Sequence, residues 1–239
     1  MKMKNKRLVQ EEIRKKRKEE QKAKRKEKPL GRKNEHIEQK RSFLIITEGE
    51  TEESYFNFYS SPLVHVDARP SNDNSAKGVV DEACRKIEEE HSFDHVWAVY
   101  DKDDNSSVAF NNAYNKALSQ GVKVAFSNQA FEYWILLHFI DHPGGCVNRD
   151  RYRKMLNDEL IKCGSSIHIE RNQKKINKDL YGLLLSKVRL SNGESMSRRT
   201  LAVKRARRIY EEKYTDGLTP SDMESVTTVF QLVEELIRG

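Results

Sequence analysis

The sequence predicts an α/β protein: a mostly parallel sheet covered by helices, a mainly helical C-terminal part after it, and a basic arm before it. Three observations carry that reading. From Arg41 onward, short β-rich apolar runs alternate with helical patterns. At His142-Pro143-Gly144-Gly145 a turn-rich break ends the alternation, and only helical patterns follow. Finally, residues 1–41 hold 18 Lys/Arg against 7 Asp/Glu while the remaining residues hold 26 against 30, so the net +7 is a strongly basic arm on a mildly acidic body. At 239 residues and 36% hydrophobic content, the chain has the size of one domain plus a tail and excludes a long multidomain machine. The boundaries fall at 1–41, 42–141 and 142–239.

In the arm, Leu8, Val9 and Ile13 are almost the only large apolar side chains before Leu30, too few for a core. Glu11 with Lys15, Glu12 with Lys16 and Glu20 with Lys24 are pairs that favour an exposed helix, and Pro29 and Gly31 separate it from the body. The arm reads equally as a salt-sensitive grip on a phosphate backbone and as a solvated tail. In the body the strands are Phe43–Thr47, Val64–Arg69, His95–Asp101 and Val122–Ser127. Helical patterns lie at 51–59, 76–90, 108–120 and 131–139, then at about 149–161, 173–187, 197–214 and 224–237.

No apolar run approaches the roughly eighteen residues a membrane span needs, and the N-terminus lacks a hydrophobic signal core, so a cytoplasmic location without membrane partners is expected. Cys84, Cys146 and Cys163 are odd in number and widely spaced, which argues against a disulfide framework or a zinc site and assigns them to packing.

In an open parallel sheet, ligands bind beyond the carboxyl ends of the strands. Three strand ends here carry acids. FLIIT runs into Glu48-Gly49-Glu50, HVWAVY ends at Asp101-Lys102-Asp103-Asp104, and VKVAFS leads through Asn128 and Gln129 to Phe131-Glu132. Carboxylates at adjoining strand ends repel one another unless a hard cation lies between them, and Mg²⁺, which completes its shell with water and phosphate oxygens, meets that need. Gly49 allows a sharp turn and a close phosphate. Thr51 reads as a helix N-cap, with Glu52 and Glu53 complementing the positive helix end. Asp101 emerges from a buried strand end, which is costly without a partner and points to function. Glu132 lies in an otherwise apolar helix beside His138, which reads as a hydrogen-bonded core histidine.

These blocks resemble the RloB family, a variant of the Toprim catalytic fold. The similarity rests on LIITEGETEESYF at 44–56, VYDKDD at 99–104, SNQAFEYWILLHF at 127–139 and TPSDMESVTTVFQLVEEL at 219–236. One departure is Gln129, where the family often has proline after S-N. The resemblance implies a Toprim-like nuclease centre in which Glu48 follows the first strand, Asp101 and Asp103 form the D-x-D that holds Mg²⁺ (or Mn²⁺), and Glu132 is a further acid. RloB-like proteins are encoded in bacterial defence loci, often beside an ABC- or AAA-type ATPase, and are similar to the nuclease components of abortive-infection systems such as AbiL and PARIS.

The expected function is therefore a metal-dependent endonuclease of an antiphage system acting on tRNA, other RNA or DNA, with Lys102 neutralising charge on the phosphoryl oxygens. The basic run Lys204, Arg205, Arg207 and Arg208, and the run Arg149 to Lys154, would track the substrate backbone, although solvated helix faces explain both. The rival reading is a catalytically silent subunit that binds nucleic acid or regulates an ATPase. A topoisomerase-like strand passer would need a tyrosine domain for which the chain has no room. The chain has no G-x-x-x-x-G-K-[ST] loop, so nucleotide hydrolysis falls to a partner. A homo-oligomer is compatible with all of this.

Overall fold

β1 (Arg41–Thr47) and β3 (His95–Asp101) are the central strands of a four-stranded, all-parallel sheet of order β2-β1-β3-β4, with β2 (Val64–Pro70) and β4 (Lys123–Ser127) outside them. The burial of each strand follows from its place. Phe43, Leu44, Ile45 and Ile46 of β1 have no exposed surface, as an unbroken apolar run covered on both faces requires. β2, at the edge, alternates instead, with Val64, Val66 and Ala68 inward and His65 outward. The computed structural model describes residues 40–238 except 104, 143, 146–147, 172–174 and 215–216, together with 15, 16 and 19. The last three are helical and exposed, and the helix-stabilising pairs expected in the arm lie outside the described residues.

The chain passes from β1 out to β2, then returns across β1 to β3. The strand order therefore reverses between β1 and β3, and that switch point opens a crevice beyond their carboxyl ends. α1 (Glu50–Asn57) packs on β1 and β2, α2 (Ala76–Glu89) on β1 and β3, and α3 (Ser107–Ser119) on α2 and β4. Ala76, Val79, Val80 and Ala83 form the buried stripe of α2, and the Ser75 hydroxyl accepts from the Gly78 N–H to cap it. The short α4 (Phe131–Leu136) follows β4.

The second half adds α5 (Arg149–Lys162), α6 (Lys178–Leu185), α7 (Arg198–Lys213) and α8 (Val229–Ile237). α6 ends at Leu185 and not at 187, and the gap before the next expected helix, at 197, holds a small antiparallel ribbon, β5 (Lys187–Arg189) with β6 (Ser195–Ser197). Its signal was present in Asn192-Gly193, where Gly193 takes a φ of 85°. Likewise α8 begins at Val229 and not near 224, because residues 226–228 are hydrogen-bonded along β4, with Thr227 bridged antiparallel to Ser127. There the Asn128 N–H donates to the Val226 carbonyl (2.8 Å), the Thr228 N–H to the Phe126 carbonyl (2.8 Å), and the Phe126 N–H to the Thr228 hydroxyl (2.9 Å). This segment covers the open edge of β4 and ties both halves into one compact unit, residues 39–239. Thr228→Val is accordingly expected to strand the buried Phe126 N–H and to cost about 1–3 kcal/mol in chemical denaturation. An unchanged denaturation midpoint would show that this edge is held by packing alone.

Cys84 is buried, as a packing cysteine should be, but Cys163 is exposed, and Cys146 lies outside the described residues. Among the described residues, no helix is long and apolar enough to cross a membrane.

Candidate active site

The crevice is assembled by backbone before any side chain enters it. Past the end of β1, the Glu48 N–H donates to the Val99 carbonyl (3.0 Å) and draws the chain toward β3, while the Thr47 hydroxyl donates to the Gly49 carbonyl (2.9 Å) and holds the turn. Past the end of β3, the Lys102 N–H donates to the Ser127 carbonyl and the Asp103 N–H to the Gln129 carbonyl, each at 2.9 Å. The main chain of Gln129 therefore joins the D-x-D turn to the approach to α4.

Onto this frame the acids are set close together. Asp101 is 2% exposed, and its Oδ2 accepts from the Phe131 N–H (2.9 Å) and from Nη2 of Arg149 (2.8 Å). Glu48 accepts from the Asp101 N–H through Oε2 (2.9 Å). The same Nη2 of Arg149 pairs with Oδ2 of Asp103 at 2.8 Å, and its Nε lies 3.4 Å from Oε2 of Glu132. A cleft of about 360 Å³ opens over the group and is lined by Glu48, Gly49, Glu52, Ser71, Glu132 and Arg149. Arg149 thus gathers Asp101 and Asp103 at the end of β3 with Glu132 of α4, and Glu48 joins them through the Asp101 N–H.

Two members of the site escaped sequence reasoning. Glu52 is not a solvated first-turn acid: it is buried, and the helix is capped by Gly49, with Thr51 inside its first turn. The signal was available, because Glu52, Tyr55 and Phe56 share the buried face of α1 at helical spacing. Gly49 makes room for it, since a Cβ there would stand 3.1 Å from Oε2 of Glu52. Arg149, read as part of a backbone-tracking run, turns inward to the acids. It is the first residue of α5, capped by Asn148, and nothing local in the sequence announces its partners.

Electrostatically the site is overloaded with negative charge. Burial pushes the Glu48 carboxyl up to about 7, Asp103 adding repulsion against the opposing hydrogen bond from Asp101. Burial likewise pushes Glu52 up to about 7, with Glu48 and Glu132 contributing. Asp101 is held well above the usual carboxylate range by burial and by Glu48 and Glu52. Burial raises Glu132 against the pull of Arg149. Burial works against the Arg149 charge, but Asp101, Glu132 and Asp103 outweigh it and raise its proton affinity.

Among the described residues, no group of three or more His, Cys, Asp or Glu stands ready to hold a metal ion. The Arg149 guanidinium instead lies between Asp101 and Asp103, its Nη2 within 2.8 Å of one oxygen of each. The donor set nevertheless suits a hard divalent cation, being all carboxylate oxygen, on strand ends, with the acids outnumbering the guanidinium they face.

The remaining predicted site residues are engaged elsewhere. The Lys102 ammonium donates to the Asn105 carbonyl of its own loop, and Asp104 lies outside the described residues. Of the predicted basic run on α7, Lys204 is exposed to solvent. Arg205 is partly buried and donates to the Leu137 carbonyl (2.7 Å), Arg207 pairs with Glu234 and lies over the Phe230 ring, and Arg208 pairs with Glu212 (2.7 Å) and Asp141 (2.6 Å). Much of that patch therefore holds α7 to its neighbours. His138 is the buried core histidine expected, with Nδ1 3.1 Å from the Trp134 carbonyl and burial lowering its pKa to about 3.

An open parallel sheet with an acid cluster at its switch point defines an α/β protein whose candidate site lies at the carboxyl edge of the sheet. The family model described as RloB-like protein matches residues 43–236, and the chain belongs to that family. No curated protein and no solved structure gives a significant match.

Proposed function

We propose that the protein is a metal-dependent endonuclease that cleaves phosphodiester bonds as the effector of an antiphage abortive-infection system, with the Toprim-like centre its sequence resembles. The observation that carries this is the convergence of Glu48, Asp101 and Asp103 at the β1/β3 switch point. These three would hold Mg²⁺ or Mn²⁺, and Glu132 would support the edge of the site. A bound divalent ion supplies Lewis-acid polarisation of the phosphoryl oxygen and a more acidic bound water. The protein's own groups do the rest. Asp101, anchored to the start of α4, sets the distance between the β3 end and that helix. Glu52, buried next to Glu48 with a carboxyl near neutrality, is placed to hold or accept a proton at working pH. Polyanionic tRNA or DNA suits the basic arm, and an ATPase partner would supply the nucleotide hydrolysis for which this chain lacks a phosphate loop.

One observation favours the silent binding subunit instead: Arg149 already pairs with Asp101, Asp103 and Glu132 and offsets part of their charge. The two readings separate in one assay. Purified protein is incubated with plasmid, single-stranded DNA and total tRNA in Mg²⁺ or Mn²⁺, alone and with the co-expressed neighbouring ATPase. Cutting that EDTA stops supports the nuclease, whereas binding without cutting in every arm assigns the silent subunit.

A further inference from the structure

Arg149 stands between two clefts. On one side is the acid-lined crevice already described, and on the other a second cleft of about 390 Å³ lined by Asp103, Gln129, Asn148, Asp150, Arg153 and Arg171. In the second cleft Arg153 lies 2.9 Å and Arg171 3.5 Å from the carboxylate of Asp150. The Arg149 side chain is 44% exposed and lines both clefts. Its backbone is fixed, because the Asn148 side chain accepts from the Arg151 N–H and starts α5 at Arg149. Any relocation of the guanidinium is therefore a side-chain rotation, needing no movement of the helix.

Nη2 lies 2.8 Å from one oxygen of each of two carboxylates on the D-x-D turn. The same two carboxylates are the ones that would hold a divalent ion, and a guanidinium and a dication on one oxygen pair repel each other, so each weakens the other's hold. A dication carries twice the charge of a guanidinium at that point. The guanidinium, for its part, has a planar fork that matches a phosphate as well as it matches a carboxylate.

We propose that Arg149 and a divalent cation compete for Asp101 and Asp103, and that the displaced Arg149 joins Arg153 and Arg171 to grip a phosphate of the nucleic acid. Metal and nucleic acid then strengthen each other's binding through one side chain, and the empty site is held together by an internal cation. This rests on the nuclease reading, because it takes the D-x-D as a metal site.

The test reads binding, with full-length protein. Mn²⁺ affinity is measured by electron paramagnetic resonance for wild type, Arg149→Gln, Arg149→Lys and Glu48→Gln. A fluorescent DNA hairpin is then titrated in Ca²⁺ and in EDTA. Removing the competitor should tighten Mn²⁺ binding about tenfold in Arg149→Gln, and the several-fold gain in hairpin affinity that Ca²⁺ gives wild type should vanish. Arg149→Lys keeps a charge and loses the fork, so its Mn²⁺ affinity should lie between the two while the Ca²⁺ gain is again lost; it carries the test if the glutamine variant does not fold. Mn²⁺ affinity unchanged or weakened in Arg149→Gln, with Glu48→Gln weakening it, overturns the competition and leaves the nuclease reading standing. No Mn²⁺ binding by wild type or Arg149→Gln would overturn both.

Discussion

Glu48→Gln and Asp101→Asn are each expected to lower metal-dependent cutting by about 10²–10³-fold or more, with circular dichroism showing the fold retained. The amides are near-isosteres, so most local hydrogen bonds survive. In the first variant the glutamine carbonyl oxygen still accepts from the Asp101 N–H, and in the second the asparagine oxygen still accepts from the Phe131 N–H. What disappears is anionic oxygen at the two strand ends. The Asp101 change is the more disruptive of the two, because the one oxygen that accepts from the Phe131 N–H also holds Arg149 at 2.8 Å, and an amide oxygen there keeps the geometry but loses the charge of the ion pair. Lys102→Ala is the internal control. Its ammonium is held by the Asn105 carbonyl of its own turn, so the cutting rate should stay within about threefold of wild type. Single-turnover rates on one defined substrate would decide. Wild-type rates in both acid variants would remove the metal site from the chemistry, and a collapse in Lys102→Ala would return that lysine to the reaction.

The contrast between Lys102 and Arg149 shows which parts of the site were legible from sequence. Strand ends were legible because a buried parallel strand is a continuous apolar run, and the first polar residue after it must sit at the sheet's carboxyl edge. Glu48 and Asp101 follow directly from that rule. The direction of a long cationic side chain obeys no such local rule. Arg149 reaches Asp101 across 48 positions of sequence, and only the packing of α5 on α4 decides it. Lys102, adjacent to the acids in sequence, curls back on its own turn. The same limit explains α7, where Arg205, Arg207 and Arg208 look like a free basic face and are largely consumed by Leu137, Glu234, Glu212 and Asp141. Glu52 is a different failure. Its burial was encoded in the spacing to Tyr55 and Phe56, but an acid in a first turn also fits a capping role, and the simpler explanation prevailed.

The crowding of these acids has a measurable cost in the metal-free protein, and the second large effect is a gain in stability from Glu48→Gln at neutral pH. The folded Glu48 carboxyl is raised from the ordinary 4.5 to about 7, so between those values the folded state binds more protons than the unfolded chain. Stability contributed by this group is then complete below about pH 4.5 and lost as pH rises through about 7. Glutamine resembles the protonated acid at every pH. In EDTA, Glu48→Gln should exceed wild type by less than about 1 kcal/mol at pH 5 and by about 2–3 kcal/mol at pH 8, or roughly 4–10 °C in melting temperature. The pH curve of wild type alone would mislead. His138, buried and neutral with its pKa lowered to about 3, contributes stability that grows as pH rises from there toward 6.5, which opposes the glutamate effect over the same range. Subtracting wild type from the variant cancels His138, which both share. Glu52→Gln should behave alike, its carboxyl being raised to about 7 in the same cluster. Saturating Ca²⁺ should reverse the ranking at pH 8, because a cation that binds only the folded wild type stabilises it by mass action and finds one fewer carboxylate in the variant. A stability difference that is flat with pH, or that grows toward acid, would mean that the crevice carries no surplus negative charge and has no need of a cation.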